Sequence, residues 1–254
     1  MSSIALFMFL RRLAAKLTEI SKELNAPYLR YINKYNMATS QQIRNGYVDY
    51  VLTHDEKPKS VYTFAKKLKI TEVEFYQFFA SFESIEKTIW ADSTIETIDT
   101  IQQQEVWTQY SSRDKMLAFF YSYVEVLKRQ RSFVIYTLKD HKQLATPTVL
   151  SGVQPIFENF ATNIINEGLE SGELADRKFL TKRYKDALWV QFAFILNFWI
   201  TDDSDGFEKT DEAIERGINV TFDLFQRSPL DNLFEYGKFL SRNGKLQEKM
   251  RYRA

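Results

Sequence analysis

SVYTFAKKLKITEVEFYQFFASFESI, residues 60–85, holds two short amphipathic patterns back to back. In the first, Val61, Phe64, Ala65 and Leu68 fall at i, i+3, i+4 and i+7. In the second, Phe75, Phe78, Phe79 and Phe82 repeat that spacing. Between them, Lys69-Ile70-Thr71 is too short for anything but a tight turn, and Thr71 has the chemistry of an N-cap. Two such helices joined by a three-residue turn predict a helix-turn-helix. Thr71-Glu72-Val73-Glu74 also reads as a Ser/Thr-x-x-Glu capping box, in which Thr71 and Glu74 satisfy orphan amides reciprocally.

The same residues resemble the amino-terminal domain of the TetR/AcrR regulators. That domain runs roughly Thr-apolar-x-x-Ile-Ala, Ala-Gly-Val-Ser, Phe-Tyr-x-Tyr/His-Phe and Ser/Asn-Lys-Glu-x-Leu. Here those places hold Ser60-Val61, Phe64-Ala65, Leu68-Lys69-Ile70-Thr71, Phe75-Tyr76-Gln77-Phe78-Phe79 and Ser81-Phe82-Glu83-Ser84-Ile85. The resemblance implies an all-α, TetR-like protein: a three-helix head at 37–90 and a ligand-binding and dimerisation body of six or seven helices at 91–254. It implies a homodimer on palindromic double-stranded DNA, a repressor released by a small molecule. The DNA contacts it implies are Lys59, Ser60, Lys66, Lys67, Lys69, Thr71, Glu72 and Tyr76, with Tyr76 in the place of a phosphate-contacting tyrosine.

Three departures fall where DNA would be read. Glu72, Val73 and Glu74 stand where relatives place a cation and a small residue. Lys69 replaces a turn glycine, a strain of about 1 kcal/mol if the site is left-handed. Phe82 replaces a lysine. Residues 37–85 carry six basic and six acidic side chains, a neutral balance for a segment whose affinity for DNA would come from cations meeting phosphates. Glutamate can accept from a cytosine amino group, so the acids leave base reading open.

The 254 residues are 44% apolar with net charge +1, enough for an ample core. Eight glycines, five prolines, many Phe and Tyr, and no period-two stretch predict an all-α chain. The absence of cysteine excludes disulfides, zinc fingers and thiol catalysis and is compatible with the cytoplasm. His54 and His141 have no carboxylate or second histidine at ligand spacing, so neither a metal site nor a cofactor is expected. No nucleophile–base pair or glycine-rich phosphate loop suggests an enzyme.

Residues 4–10 are apolar but too few to span a membrane, and Arg11 and Arg12 follow them rather than precede them as in a signal peptide. Residues 1–36 hold six basic residues against two acidic. They read either as a basic arm or as an extension from an early start, because Met37-Ala38-Thr39 begins where the family's domain begins.

Further helices are predicted at Gln41–Leu52, Ser84–Tyr110, Arg113–Gln130, Ser132–Lys142, Val149–Gly172, Arg183–Ile200, Phe207–Gln226 and Leu230–Ser241, with the tail 242–254 frayed. Gly168-x-x-x-Gly172-Glu173-Leu174 resembles a close common in TetR-type bodies. Trp107, Phe120, Tyr123, Phe133, Tyr136, Phe157 and Phe160 are core by spacing alone. The resemblance makes them the walls of a pocket for a hydrophobic effector such as a lipid, quinone or aromatic compound. The helices at 183–200 and 207–226 hold the places of a dimer interface, for which Trp189, Phe192, Leu196, Trp199, Ile214, Ile218 and Phe222 are the candidates. The competing reading is a TetR-shaped lipid- or isoprenoid-binding protein with weak or no DNA binding, which the acidic third helix favours.

Overall fold

The computed structural model describes residues 40–139, 148–177, 180–226, 236–237 and 239–240. The expectations for residues 1–36, the Met37 start, His141, Pro147 and the tail 242–254 lie outside the described residues, as does most of the helix expected over Leu230–Ser241. Among the described residues there is no strand. The α-helices are α1 (residues 40–54), α2 (Val61–Lys67), α3 (Glu72–Phe78), α4 (Phe82–Gln102), α5 (Ser112–Lys128), α6 (Arg131–Leu138), α7 (Gln154–Ser171), α8 (Tyr184–Thr201) and α9 (Glu208–Phe225). The chain divides into two compact units, Met1–Ile85 and Glu86–Ala254.

In the first unit, α1 buries Ile43, Tyr47 and Val51, one face at helical spacing, while Tyr50 stays half-buried. It ends at Asp55, whose φ of 54° leaves the helical region. The aromatic side chains lock together. Tyr47 stacks on Phe82 at 5.4 Å, and Phe64 meets Phe82 edge-on at 5.3 Å and Phe75 at 6.2 Å. The place usually held by lysine is thus a core position, and Phe82 is part of what holds the three short helices together; each such ring pair adds about 1 kcal/mol to the area it buries.

In the second unit, α5 packs on α7 and α9, and α8 packs on α7 and α9. Phe119 is the hub, with ring centroids 5.1 Å from Phe160, 5.3 Å from Phe157 and 5.4 Å from Tyr123; Phe192 of α8 lies 4.9 Å from Phe157. The Gly-x-x-x-Gly-Glu-Leu close has a physical reason. A Cβ on Gly168 would lie 2.7 Å from both Leu174 and the Ser112 hydroxyl, and Gly172 takes the left-handed φ of 78° that ends α7. The chain then turns so that the Glu173 carboxylate accepts from the Ser112 amide at 2.7 Å and the Arg113 amide at 3.2 Å. Ser111 Oγ accepts from the Asp114 amide and Asp114 Oδ2 from the Ser111 amide at 3.3 Å. All four orphan donors at the start of α5 are satisfied.

Two boundaries differ from expectation. The helix expected to reach Tyr110 ends at Gln102, and Trp107–Gln109 is a separate 3₁₀ turn. Thr148–Gly152 is likewise 3₁₀, and α7 begins only at Gln154, with Pro155 in its first turn, where a missing amide costs nothing. The buried face of α4 also differs. Ile95 is exposed, while Glu86, Trp90, Ser93, Thr94, Thr97 and Ile101 are buried.

The α8–α9 corner rests on one carboxylate. Burial alone would raise the pKa of Asp202, but hydrogen bonds from the amide and hydroxyl of Ser204 and of Thr210 outweigh it and hold the group well below the usual carboxylate range. A depressed folded-state pKa contributes stability that is present above the unfolded value of 3.8 and is lost as pH falls below it. Urea unfolding between pH 2.5 and 7 is therefore expected to show wild type more stable than Asp202→Asn at neutral pH, with the gap closing as the pH drops below about 4.

Candidate nucleic-acid interface

The helix-turn-helix is built as its sequence directs. Ser60 Oγ accepts from the Thr63 amide and starts α2. Thr71 Oγ1 accepts from the Glu74 amide at 3.2 Å, and Glu74 Oε2 accepts from the Thr71 amide at 2.7 Å, which closes the capping box. These hydrogen bonds from Thr71, backbone first and hydroxyl second, lower the Glu74 pKa.

The turn between α2 and α3 is a Schellman motif. The Ile70 amide donates to Ala65 C=O and the Lys69 amide to Lys66 C=O, and Lys69 takes the left-handed position with φ 59°. This is the conformation the replaced glycine would have adopted freely. Leu68 lies over Gly46 of α1, where a Cβ would come within 2.5 Å of it, and Gln42 Nε2 donates to Leu68 C=O at 3.2 Å.

Of the residues predicted to meet DNA, Lys59, Lys66 and Lys69 are exposed and make no ion pair among the described residues, and Glu72 and Tyr76 are exposed on α3. Ser60 and Thr71 serve as caps. Lys67 lies with Nζ 4.8 Å from the Tyr50 ring centroid, and His54 stacks on that ring at 4.1 Å. Lys57 pairs with Glu83 at 3.0 Å, a contact that lowers the Glu83 pKa. Some of the grouped cations are therefore engaged within the head itself.

The predicted pocket residues do not form one group. Phe120, Tyr123, Phe157 and Phe160 pack around Phe119, and Trp107 stacks on Phe160 at 6.1 Å. Phe133 is buried, but it stands outside that cluster, and Tyr136 is half-buried beside Lys139. Sequence reasoning missed a buried polar seam next to the cluster. Ser93, Thr94 and Thr97 each donate to a carbonyl one turn back on α4. Gln130 Nε2 donates to Ser93 Oγ, Trp90 Nε1 donates to Thr137 Oγ1, and the Tyr123 hydroxyl lies 3.4 Å from Thr94 Oγ1. Burial raises the Tyr123 pKa and keeps its hydroxyl protonated. Among the described residues no group of three or more His, Asp or Glu could hold a metal, and no helix is long and apolar enough to cross a membrane.

The seven dimer candidates require correction. Trp189, Phe192, Leu196, Trp199, Ile214, Ile218 and Phe222 all lie in the protomer's own core. The apolar side chains that α8 and α9 present outward are Val190, Phe194, Val220 and Leu224, between 53% and 68% exposed. In α8 the run 187–200 is apolar at every position but Gln191 and Asn197, which leaves no clear period from which to choose a face.

Residues 115–240 match the family model described as the tetracyclin repressor-like, C-terminal domain. Among solved structures, a TetR family transcription regulator of Shewanella sp. PV-4 aligns with a TM-score of 0.53 and 12% identity, over 75% of this chain and 99% of that one. The fatty acid degradation regulator FadR of Bacillus halodurans aligns with a TM-score of 0.51 and 16% identity, over 70% of this chain and 94% of that one. At these identities the two structures establish a shared fold. No curated protein matches the chain.

The left-handed lysine yields a stability prediction. Lys69→Gly relieves a strain of about 1 kcal/mol, partly offset by the freedom glycine gains in the unfolded chain. Its urea midpoint is expected to rise, whereas Lys69→Ala, which keeps a Cβ at φ 59°, is expected to leave the midpoint near that of wild type.

Proposed function

The chain belongs to the TetR family of transcription regulators through its C-terminal domain, and from that premise we propose that it is a dimeric, ligand-responsive DNA-binding repressor. The observation that carries the DNA-binding reading is an intact helix-turn-helix whose outer surface is free. Tyr76 is 54% exposed on α3, with Lys59, Lys66 and Lys69 around it in sequence and unpaired among the described residues. A phosphate-binding role for these groups makes affinity fall with salt.

Pairing through α8 and α9 would bury Val190, Phe194, Val220 and Leu224, which a lone protomer leaves in water. A second copy is the occupant that fits, because an isologous contact lays the same apolar face on itself. Two heads then meet a palindrome with half-sites about one helical turn apart. The effector would enter between the Phe119 cluster and the α4 seam, which offers apolar rings beside Thr94, Thr97 and Tyr123. Apolar rings beside neutral hydroxyls suit an uncharged or amphipathic hydrophobic molecule better than a phosphorylated one. Effector binding acts on DNA affinity only through a difference in affinity between two arrangements of the dimer.

One observation favours a second reading, a lipid-binding protein with weak DNA contact. Glu72 is exposed at the start of α3 and Glu74 is fixed in its cap, so carboxylates stand where a polyanion would approach.

A selection from random duplexes with the full chain, at two salt concentrations, separates the readings. The proposal expects a palindromic site whose affinity falls with salt and is lost in Tyr76→Ala. In Lys66→Ala the slope of log K against log salt is expected to shrink by about 1 for each phosphate contact removed. No enriched site at low salt would sink the DNA-binding proposal and leave the lipid-binding one. For the interface, Phe194→Asp is expected to convert a dimer into a folded monomer by sedimentation equilibrium, since the residue is exposed in the protomer.

A further inference from the structure

Glu72, Val73, Tyr76 and Gln77 form the outward face of α3, and none of them is a cation. They fall at i, i+1, i+4 and i+5, one side of the helix, while Phe75 and Phe79 point into the head. Glu74, the remaining polar side chain of α3, is held by Thr71 and points away from that face. Val73 is 70% exposed, an apolar side chain with nothing of its own unit to cover it. The capping box engages the Thr71 and Glu74 amides, and what α3 offers for base reading is the set of exposed side chains on its outward face.

Resting on the DNA-binding proposal, we infer that α3 reads its half-site without the Arg- or Lys-to-guanine contact, through an acceptor, a methyl contact and a carboxamide. In the major groove a carboxylate can only accept. Its partners are amino groups, and the cytosine N4 amine has an acceptor on one side only, the paired guanine O6, whereas the adenine N6 amine lies between its own N7 and the thymine O4. Glu72 therefore selects cytosine. Val73 covers the C5 methyl of a thymine, which shields its own apolar surface at the same time. Gln77 matches the N6 donor and N7 acceptor of adenine with both ends of its carboxamide. Tyr76, between them on the same face, is long enough to reach a phosphate oxygen.

The arrangement has an electrostatic consequence. Each half-site places one carboxylate in the groove, so the dimer carries two anions into a polyanion. Removing that charge strengthens binding overall while it weakens the preference for cytosine. Affinity and specificity thus move in opposite directions at position 72, which a residue with only a structural role would not produce.

The test is a random-duplex selection with the full chain at low salt, using wild type, Glu72→Gln and Gln77→Ala. Circular dichroism of each would verify the fold, whose α3 cap uses Thr71 and Glu74 rather than these positions. Wild type is expected to enrich half-sites containing cytosine, thymine and adenine at the α3 contacts. In Glu72→Gln the cytosine preference is expected to fall by about tenfold while total affinity rises. In Gln77→Ala the loss is expected at the adenine alone. If wild type and Glu72→Gln return the same half-site with the same preference at every position, the inference is overturned. If wild type returns no site at all, the DNA-binding proposal fails first, and the two failures are distinct.

Discussion

The start of α5 is held by a carboxylate that lies 61 positions further along the chain. Glu173 can reach the Ser112 and Arg113 amides only because α7 ends at a left-handed glycine and because Gly168 lets Leu174 and Ser112 come close. The anion also meets the positive end of the helix it caps. From this corner the rest of the body follows. The Ala175 amide donates to Phe225 C=O, the Tyr184 hydroxyl donates to Ala175 C=O, and Arg177 holds the carbonyls that end α9. The beginnings of α5 and α8 and the ends of α7 and α9 are thereby tied within a few residues of one another. A four-residue signature visible in the sequence is the corner piece of a four-helix packing.

How much could be read in advance depended on whether the relevant physics was local. The helix-turn-helix was legible because its caps and its hydrophobic period lie within 26 residues, and each feature agrees with the others. The strain at Lys69 was legible as a condition, since a lysine in a glycine position is strained only if φ is positive, and it is. The inner face of α4 was not legible. Its serine and threonines return their hydroxyl protons to their own helix, and once this is done they pack inward much as apolar residues do. Counting isoleucines instead brought in Ile95, which faces water. The outer faces of α8 and α9 were hidden for a different reason. Within α8 the run 187–200 is apolar but for Gln191 and Asn197, and only the packing of α7 and α9 against it decides that Trp189 and Phe192 turn inward while Val190 and Phe194 do not.

The head shows how one sequence can serve stability and recognition with competing demands. The capping box that makes a seven-residue helix viable uses amides and a carboxylate that would otherwise face the ligand. Lys67 and Lys57, cations by composition, are drawn into contacts with Tyr50 and Glu83. The local charge balance of zero is therefore only part of the electrostatic account. What a polyanion would meet is set by which side chains remain after the head has satisfied itself.

The placement of tryptophan gives the molecule a built-in optical division. All four, Trp90, Trp107, Trp189 and Trp199, belong to the second unit, while Tyr47, Tyr50, Tyr62 and Tyr76 are among the aromatic residues of the first. Trp90 and Trp199 are almost fully enclosed, and Trp90 is bonded to Thr137 inside the polar seam. Indole emission therefore originates in the body alone. A molecule entering beside Trp90 would alter the surroundings of that fluorophore directly, whereas an event confined to α3 would leave the indoles in place. Excitation at the red edge of the absorption band watches the second unit without labelling it.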